Sequence, residues 1–189
     1  MLAFVGQVRA YKGIPELLIA FGKLGAFGKL EGFGNLSVFG KLEGEAQLLI
    51  AGKPIPPEDA PQLEALAARD PRVRLELGFV ADDRLQLFLK TADLIVLPYR
   101  QILNSGSALL ALSFDRPLLA PAIGSLPELA QKMGGDWLQL FSGDLEANDL
   151  RNALVLGRKM RDQVAPLEDF AWIPIAEKTK QFYLGLTNR

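Results

Sequence analysis

Residues 92–120 read ADLIVLPYRQILNSGSALLALSFDRPLLA and contain the pattern that runs through the whole chain. The apolar run from Asp93 to Leu97 predicts a strand that ends at Pro98. Residues 105–114 predict an apolar helix, and residues 117–120 predict the next strand. Strands that are apolar throughout are typical of parallel sheets covered on both faces. This unit therefore predicts an α/β fold.

The same alternation of short strands and longer helices continues in both directions. Further strands are predicted at 2–5, 47–51, 73–77 and 137–141, and further helices at 14–21, 60–69, 82–92, 126–132, 145–161 and 175–186. A chain of 189 residues is the right length for one domain. We therefore expect residues 1–189 to form a single Rossmann-like domain around a doubly wound parallel sheet.

A low-complexity segment interrupts this order between the first helix and the second strand. Residues 21–44 repeat a hexad, FGKLGA, FGKLEG, FGNLSV and FGKLEG. Its apolar residues recur every third position, which fits neither a helix nor a strand. We interpret the segment as an insertion, which is either a tolerated expansion or a surface of four exposed phenylalanines. Such a surface would contact a partner or the face of a membrane.

Composition excludes several kinds of chemistry. The chain has 21 Lys and Arg against 22 Asp and Glu, a net charge of −1, which argues against nucleic-acid binding. It has no cysteine and no histidine, so disulfides, thiol catalysis and the commonest zinc ligands are excluded and we expect no metal. No signal peptide or apolar run of membrane-spanning length is visible, and we expect a cytoplasmic protein.

Ligands of such folds bind beyond the carboxyl ends of the strands, where the loops of this chain offer three candidates. The loop from Gly6 to Gly13 carries Lys12 at a helix start, as in an anion site, although a solvated lysine would give the same pattern. The turn from Asn104 to Ser107 is either a second anion cradle or an ordinary helix cap. Together with Lys12 and Arg100 it would suit a diphosphate.

Glu128, in the stretch Gly124-Ser125-Leu126-Pro127-Glu128, is the third candidate. A carboxylate in the first turn of a helix complements the helix dipole. The same carboxylate would also be placed to contact a polar ligand. The residues leave both roles open.

The order and spacing of these stretches resemble the C-terminal, donor-binding half of GT-B glycosyltransferases of the group 1 type, glycosyltransferase family 4. The resemblance covers nearly the whole chain outside the hexad segment. It is carried by FVG at 4–6, KGIPELL at 12–18, LLIAG at 48–52, DPRV at 70–73, LGF at 77–79, ADLIVLP at 92–98, residues 105–117 and 124–128, and a closing helix around Trp172 and Tyr183.

The resemblance implies roles for individual residues. Lys12 matches the family lysine that holds the donor diphosphate, and Gln7 stands where the family usually has arginine. The implied diphosphate site comprises Gly6, Gln7, Lys12, Arg100, Ser105, Gly106 and Ser107. The implied base and sugar contacts are Gly78, Phe79, Val80, Asn104 and Glu128. The donor would be a UDP- or GDP-linked sugar, with no further cofactor.

The chain departs from the family at the two glutamates that bind the donor sugar and the ribose hydroxyls. Those positions correspond to Ile102 and Leu110. Arg100, Asn104 or Glu128 could substitute for the missing carboxylates. In the family an N-terminal domain, which would here be a separate partner, holds the acceptor, and the last helix packs against it. The resemblance assigns no catalytic residue in this chain.

Three functions follow as hypotheses. The first is the donor half of a glycosyltransferase that acts with an acceptor-binding domain. The alternative is a non-catalytic module that binds a nucleotide or a protein. A third is half of a sugar-nucleotide epimerase, since those enzymes share the fold.

Overall fold

A parallel sheet forms the centre of the protein. The structure, a computed structural model, describes residues 1–24, 46–160 and 162–187. Within them the strands are β1 (Leu2–Val5), β2 (Leu48–Gly52), β3 (Val73–Leu77), β4 (Leu94–Val96), β5 (Leu118–Pro121) and β6 (Leu138–Phe141). They pair in the order β3-β2-β1-β4-β5-β6, and every pair is parallel. The order reverses between β1 and β4, where doubly wound folds bind ligands.

Helices cover both faces of this sheet. They are α1 (Ile14–Gly22), α2 (Ala60–Ala67), α3 (Asp82–Thr91), α4 (Gly106–Ser113), α5 (Leu126–Met133), α6 (Ala147–Lys159) and α7 (Trp172–Thr187). Right-handed crossovers place α1 and α2 on one face and α3, α4 and α5 on the other. Helix α6 returns to the first face, where it packs against α1 and lies over β4 and β5.

The central strands are apolar because both of their faces are covered. All residues of β1, β2, β4 and β5 are buried, and Phe4 lies opposite Ile50 in the register of β1 and β2. Strand β3 differs from the continuous apolar pattern, since Arg74 and Glu76 alternate with Val73, Leu75 and Leu77. It is an edge strand, so part of its surface meets water.

The predicted fold class is confirmed, and the helix and strand ends fall within three residues of the predicted ones. The largest shift is in α7, which begins at Trp172 rather than at residue 175. Ser105 precedes α4 as its N-cap instead of forming its first residue. Element ends are set by caps and local packing, which periodicity alone does not resolve.

The first hexad of the repeat differs from its prediction. Phe21 belongs to α1 and is fully buried, and Leu24 is buried beside it. The guanidinium carbon of Arg72 lies 4.7 Å from the centre of the Phe21 ring. The alternative of a surface of four exposed phenylalanines is therefore wrong for Phe21, because this residue is packed in the core as part of α1. The other three, at 27, 33 and 39, lie outside the described residues.

Candidate functional site

The loops at the carboxyl ends of the strands are joined in a row by backbone hydrogen bonds. Gly6 N donates to Ala51 O at 3.0 Å, and Gly78 N donates to Gly52 O at 3.0 Å. Gly52 has a φ of 152°, and a Cβ on it would lie 1.7 Å from Gly6 O. The backbones of the β1 and β2 ends are therefore as close as glycine allows, and no side chain separates them.

Two of the predicted stretches, the β1–α1 loop and the β4–α4 loop, lie against each other. Arg100 N donates to Tyr11 O at 2.8 Å. Gly13 adopts a φ of 67°, and a Cβ there would lie 1.9 Å from Pro98 O. At the other end of the same loops, a Cβ on Gly6 would lie 3.8 Å from Ser107 Oγ. The fold thus brings Gly6, Lys12 and Ser107 to one edge of the sheet.

Lys12 is buried at this meeting point. Lys12 is the last residue of a short 3-10 turn, Ala10–Lys12, and is only 9% exposed. Its Nζ donates to Tyr99 Oη at 2.8 Å and lies 4.1 Å from the Tyr99 ring centre and 5.6 Å from that of Tyr11. Because Lys12 is buried, the alternative of a solvated lysine is wrong. Within the described residues no carboxylate lies within 4.0 Å of its Nζ. A buried ammonium held only by neutral groups attracts an anion.

The amino end of α4 faces the same edge. Ser105 Oγ accepts a hydrogen bond from Ala108 N at 3.1 Å, so Ser105 is the N-cap of the helix. This is the helix cap that the sequence analysis gave as one of two interpretations of the turn. The N–H groups of Gly106 and Ser107 precede the first intrahelical hydrogen bond and remain available to a ligand. The helix dipole adds to their attraction for negative charge.

Arg100 already has a carboxylate partner. Its Nη1 lies 3.3 Å from Oε1 of Glu16 in the first turn of α1. The other oxygen of that carboxylate, Oε2, is buried and has no hydrogen-bond partner among the described atoms. Both residues line a cleft of about 460 Å³ beyond the ends of β4, β5 and β6. The charge of Arg100 is thus partly offset, whereas that of Lys12 is not.

The predicted base-binding residues lie farther along the edge. Gly78 has a φ of 147° and directly follows β3. The next residue, Phe79, is 87% exposed. Val80 is half-buried against the core. An aromatic ring that stands open to solvent in a ligand-binding loop offers a surface on which a base can stack.

Glu128 and Asn104 lie on the α5 side. Glu128 Oε1 accepts a hydrogen bond from Lys132 Nζ at 2.8 Å, which lowers the pKa of that carboxyl below its ordinary value. The pair lies one turn apart on the exposed face of α5, where it complements the helix dipole. Both Asn104 and Glu128 line a cleft of about 250 Å³ between α4 and α5, which Phe170 closes on one side.

Of the two positions that carry glutamate in the resembling family, Ile102 lies in the β4–α4 loop and Leu110 lies on α4. Ile102 is half-buried against the core, and Leu110 is exposed on α4. A Cβ on Gly124 would lie 2.4 Å from Ile102 O, and Ser125 N donates to Leu103 O at 3.0 Å. The loop is therefore fixed in place, and both positions have apolar side chains where the resembling family has carboxylates.

Three residues at the site escaped the sequence analysis, namely Arg9, Glu16 and Tyr99. Arg9 Nε donates to Gln7 Oε1 at 3.1 Å, so a guanidinium stands beside the neutral amide of Gln7. Tyr99 is separated from Lys12 by 87 residues in sequence and is known as its partner only from the fold. The one signal for Tyr99 was its place directly after Pro98, where β4 ends.

The described ranges contain neither a metal-binding cluster nor a membrane-spanning helix. No group of three or more His, Cys, Asp or Glu is placed to hold a metal ion. Among the helices that the structure describes, none is both long and apolar enough to cross a membrane.

Comparison with known proteins gives a family match over most of the chain. The family model described as "Glycosyl transferases group 1" matches residues 1–155. A GDP-mannose:glycolipid 4-beta-D-mannosyltransferase of Xanthomonas campestris pv. campestris is 34% identical over 163 residues. The match covers 86% of this chain but only 40% of that enzyme, so the chain spans less than half of its relative's length.

Solved structures share the fold at lower identity. AviGT4, a glycosyltransferase of avilamycin A biosynthesis, superposes with a TM-score of 0.64 at 18% identity, over 98% of this chain and 51% of its own. The C-terminal domain of the group 1 protein LpcC from Francisella tularensis gives 0.56 at 17% identity, over 85% and 80%. The fold is that of the C-terminal half of a GT-B glycosyltransferase. These similarities do not favour the alternative of a non-catalytic module.

Proposed function

The chain belongs to the group 1 glycosyl transferases, and we propose that it is their donor-binding part and binds a nucleotide-diphosphate sugar. The sugar would pass to an acceptor held by a second domain. The observation that carries this proposal is the buried Lys12, which lacks a carboxylate partner among the described residues and lies at the switch point of the sheet.

The neighbours of Lys12 support a diphosphate in particular. Gly6 leaves the end of β1 without a side chain, and the free N–H groups of Gly106 and Ser107 point from the amino end of α4. One phosphate against Lys12 and the other against α4 would use both groups. Arg9, oriented by Gln7 at 3.1 Å, supplies a second positive charge at the mouth of the loop.

The sugar nucleotide is proposed from the relative. That enzyme is named for GDP-mannose, and we propose GDP-mannose as the donor here, with UDP-linked sugars as the alternative. Phe79 would stack on the base, and Gly78 and Val80 would shape the loop beneath it. Because Ile102 and Leu110 are apolar, Asn104 and Glu128, which line the cleft between α4 and α5, would replace the family's carboxylates.

The acceptor would be held by a separate N-terminal GT-B domain. Helix α7 supports this, because its apolar side chains are exposed, with Trp172 at 87%. Those at 172, 175, 176, 182, 183 and 186 lie on one helix face, while Ile173 and Leu184, also exposed, lie outside it. A second domain that packed on this face would cover it and complete the interdomain cleft in which transfer takes place. Positioning both substrates in that cleft supplies much of the rate enhancement.

A reconstitution assay tests the proposal. The chain is combined with the acceptor-binding half of the mannosyltransferase relative, and transfer of labelled mannose from GDP-mannose to glycolipid is measured. We expect transfer from the mixture, none from either half alone, and a loss of at least tenfold with Lys12→Met. Lys90→Met, at an exposed lysine in the last turn of α3, is the matched control and should keep wild-type activity.

Two results would redirect the assignment. A sugar nucleotide converted to its epimer by the chain alone would favour the epimerase hypothesis. Absence of transfer with every UDP- and GDP-linked donor, in a mixture where both halves are folded, would contradict the role as a donor-binding half.

A further inference from the structure

The partner of the Lys12 ammonium is a phenol. Tyr99 is 2% exposed, and its Oη accepts the hydrogen bond from Lys12 Nζ at 2.8 Å. The same ammonium lies 4.1 Å from the centre of the Tyr99 ring, within the range of a cation–π contact. Two features of one side chain, its hydroxyl and its ring, therefore fix the position of the charge.

The carboxylate nearest along the chain is engaged elsewhere. Glu16 follows Lys12 by one helical turn, yet its carboxylate faces Arg100 at 3.3 Å. A carboxylate on Lys12 would neutralise the ammonium and would compete with an anionic ligand for it. A phenol holds the ammonium in place and leaves its charge uncompensated.

The ammonium also keeps donors for a ligand. It has three N–H groups, and the hydrogen bond to Tyr99 uses one of them. The other two N–H groups of the ammonium thus remain for the oxygens of one phosphate.

We propose that Tyr99 is the positioning residue of the donor site and holds the Lys12 side chain oriented for the diphosphate. The identity of the ligand in this inference rests on the proposed function. The contact between Tyr99 and Lys12 rests only on the observed geometry. Tyr99 acts through Lys12, so its contribution to binding depends on the lysine.

The test is a double-mutant cycle with GDP as the probe. Dissociation constants are measured by calorimetry for the wild type, Tyr99→Phe, Lys12→Met and the double variant. We expect Tyr99→Phe to weaken GDP binding about tenfold, the size expected for one hydrogen bond to a charged group. In the Lys12→Met background the same substitution should change affinity less than twofold. Equal effects in both backgrounds would overturn the proposal.

A second measurement needs no nucleotide. Acetylation of Lys12 by an N-hydroxysuccinimide ester is followed by mass spectrometry, with the exposed Lys53 as internal reference. Tyr99→Phe should raise the rate at Lys12 severalfold and leave Lys53 unchanged. Tyr11→Phe, the matched control on the ring 5.6 Å from the ammonium, should alter neither rate. An unchanged rate at Lys12 in Tyr99→Phe would overturn the proposal.

The two measurements separate the inference from the proposed function. If Lys12 reacts faster in Tyr99→Phe but the wild type binds no nucleotide, the donor assignment fails while the Tyr99 contact with Lys12 is supported. If GDP binds the wild type and Tyr99→Phe with equal affinity, the donor assignment holds and the role of Tyr99 is wrong. Circular dichroism of Tyr99→Phe confirms that the variant is folded.

Discussion

Burial separates Lys12 from the other positive side chains at the site. Arg9 and Arg100 are exposed, and Arg100 has a carboxylate partner, whereas Lys12 is enclosed with a phenol. A charge that is out of water and unpaired by a carboxylate gains most from a bound anion. At the scale of single residues, we therefore propose Lys12 as the main determinant of ligand class among the described residues.

Gly13 occupies a position where a larger residue should destabilise the fold. Its φ of 67° strains any other residue, and a Cβ would meet Pro98 O at 1.9 Å. Gly13→Ala should therefore lower the free energy of unfolding by roughly 2–4 kcal/mol, the sum of a strained backbone and a forced loop shift. Urea unfolding measures it.

Gly22 is the matched control for that substitution. It ends α1 with ordinary helical dihedrals, and a Cβ there would touch nothing within 4 Å. Gly22→Ala should be neutral or stabilising by up to about 1 kcal/mol. A Gly13→Ala protein as stable as Gly22→Ala would contradict the close approach of the two loops.

Among the elements, β3 is tied to α1 by a charged pair. Arg72 donates to both oxygens of Asp70, at 2.9 Å from Nε and 2.7 Å from Nη2, and its Nη2 also donates to Phe21 O at 3.3 Å. The hydrogen bond from Arg72 holds the pKa of the Asp70 carboxyl below its ordinary value of 3.8. The pair therefore clamps the start of the edge strand to the end of the first helix.

The contribution of the Asp70–Arg72 pair to the free energy of unfolding should depend on pH. A carboxyl whose pKa is lowered in the folded state stabilises the fold above its unfolded pKa and loses that contribution as the pH falls through its folded pKa. Asp70→Asn should cost about 1–2 kcal/mol at pH 6, and the difference from wild type should shrink below about pH 4. Urea unfolding at pH 6 and pH 3 gives both values. A difference that does not vary with pH would contradict the clamp.

Helix α7 differs from the other helices in how little of it is covered. Trp172 and Phe182 are exposed on it, whereas Trp137 is buried at the start of β6. Phe182→Ser should change the free energy of unfolding by less than about 0.5 kcal/mol, because it removes little buried surface. Leu112→Ala, on the buried face of α4, is the contrast and should cost about 2–5 kcal/mol.

Fluorescence tests the same exposure directly. Acrylamide should quench Trp172 fully and leave Trp137 protected, so the quenchable emission should disappear in Trp172→Phe. Addition of the acceptor-binding half of the mannosyltransferase relative should protect Trp172. A tryptophan already protected in the isolated chain would contradict the exposed face of α7.

At the scale of the whole molecule, the fold was predictable because its signals are local. Apolar runs such as Leu94-Ile95-Val96-Leu97, ended by Pro98, indicate buried parallel strands without any knowledge of their neighbours. Lys12, Gly6 and Ser107 were predictable as a group because the carboxyl ends of parallel strands share one edge. The contact of Tyr99 with Lys12 and that of Glu16 with Arg100 were not, because each depends on loop packing that no periodicity encodes.

The start of the hexad repeat was also predicted from a local pattern, but its structure depends on tertiary packing. Its sequence period begins at Phe21, but Phe21 and Leu24 are buried parts of the domain. A repeat in sequence need not coincide with a unit of structure, since helix packing, not the repeat, sets where α1 ends.

Thermal unfolding with GDP, UDP and ADP, on the wild type and on Lys12→Met, tests the central claim most directly. A nucleotide at 100 times its dissociation constant stabilises the fold by about 2.7 kcal/mol, or roughly 5–10 °C for a domain of this size. We predict such a rise for the wild type with one nucleotide, GDP first, and none for Lys12→Met. No rise with any nucleotide, or an equal rise in Lys12→Met, would contradict a diphosphate site built on Lys12.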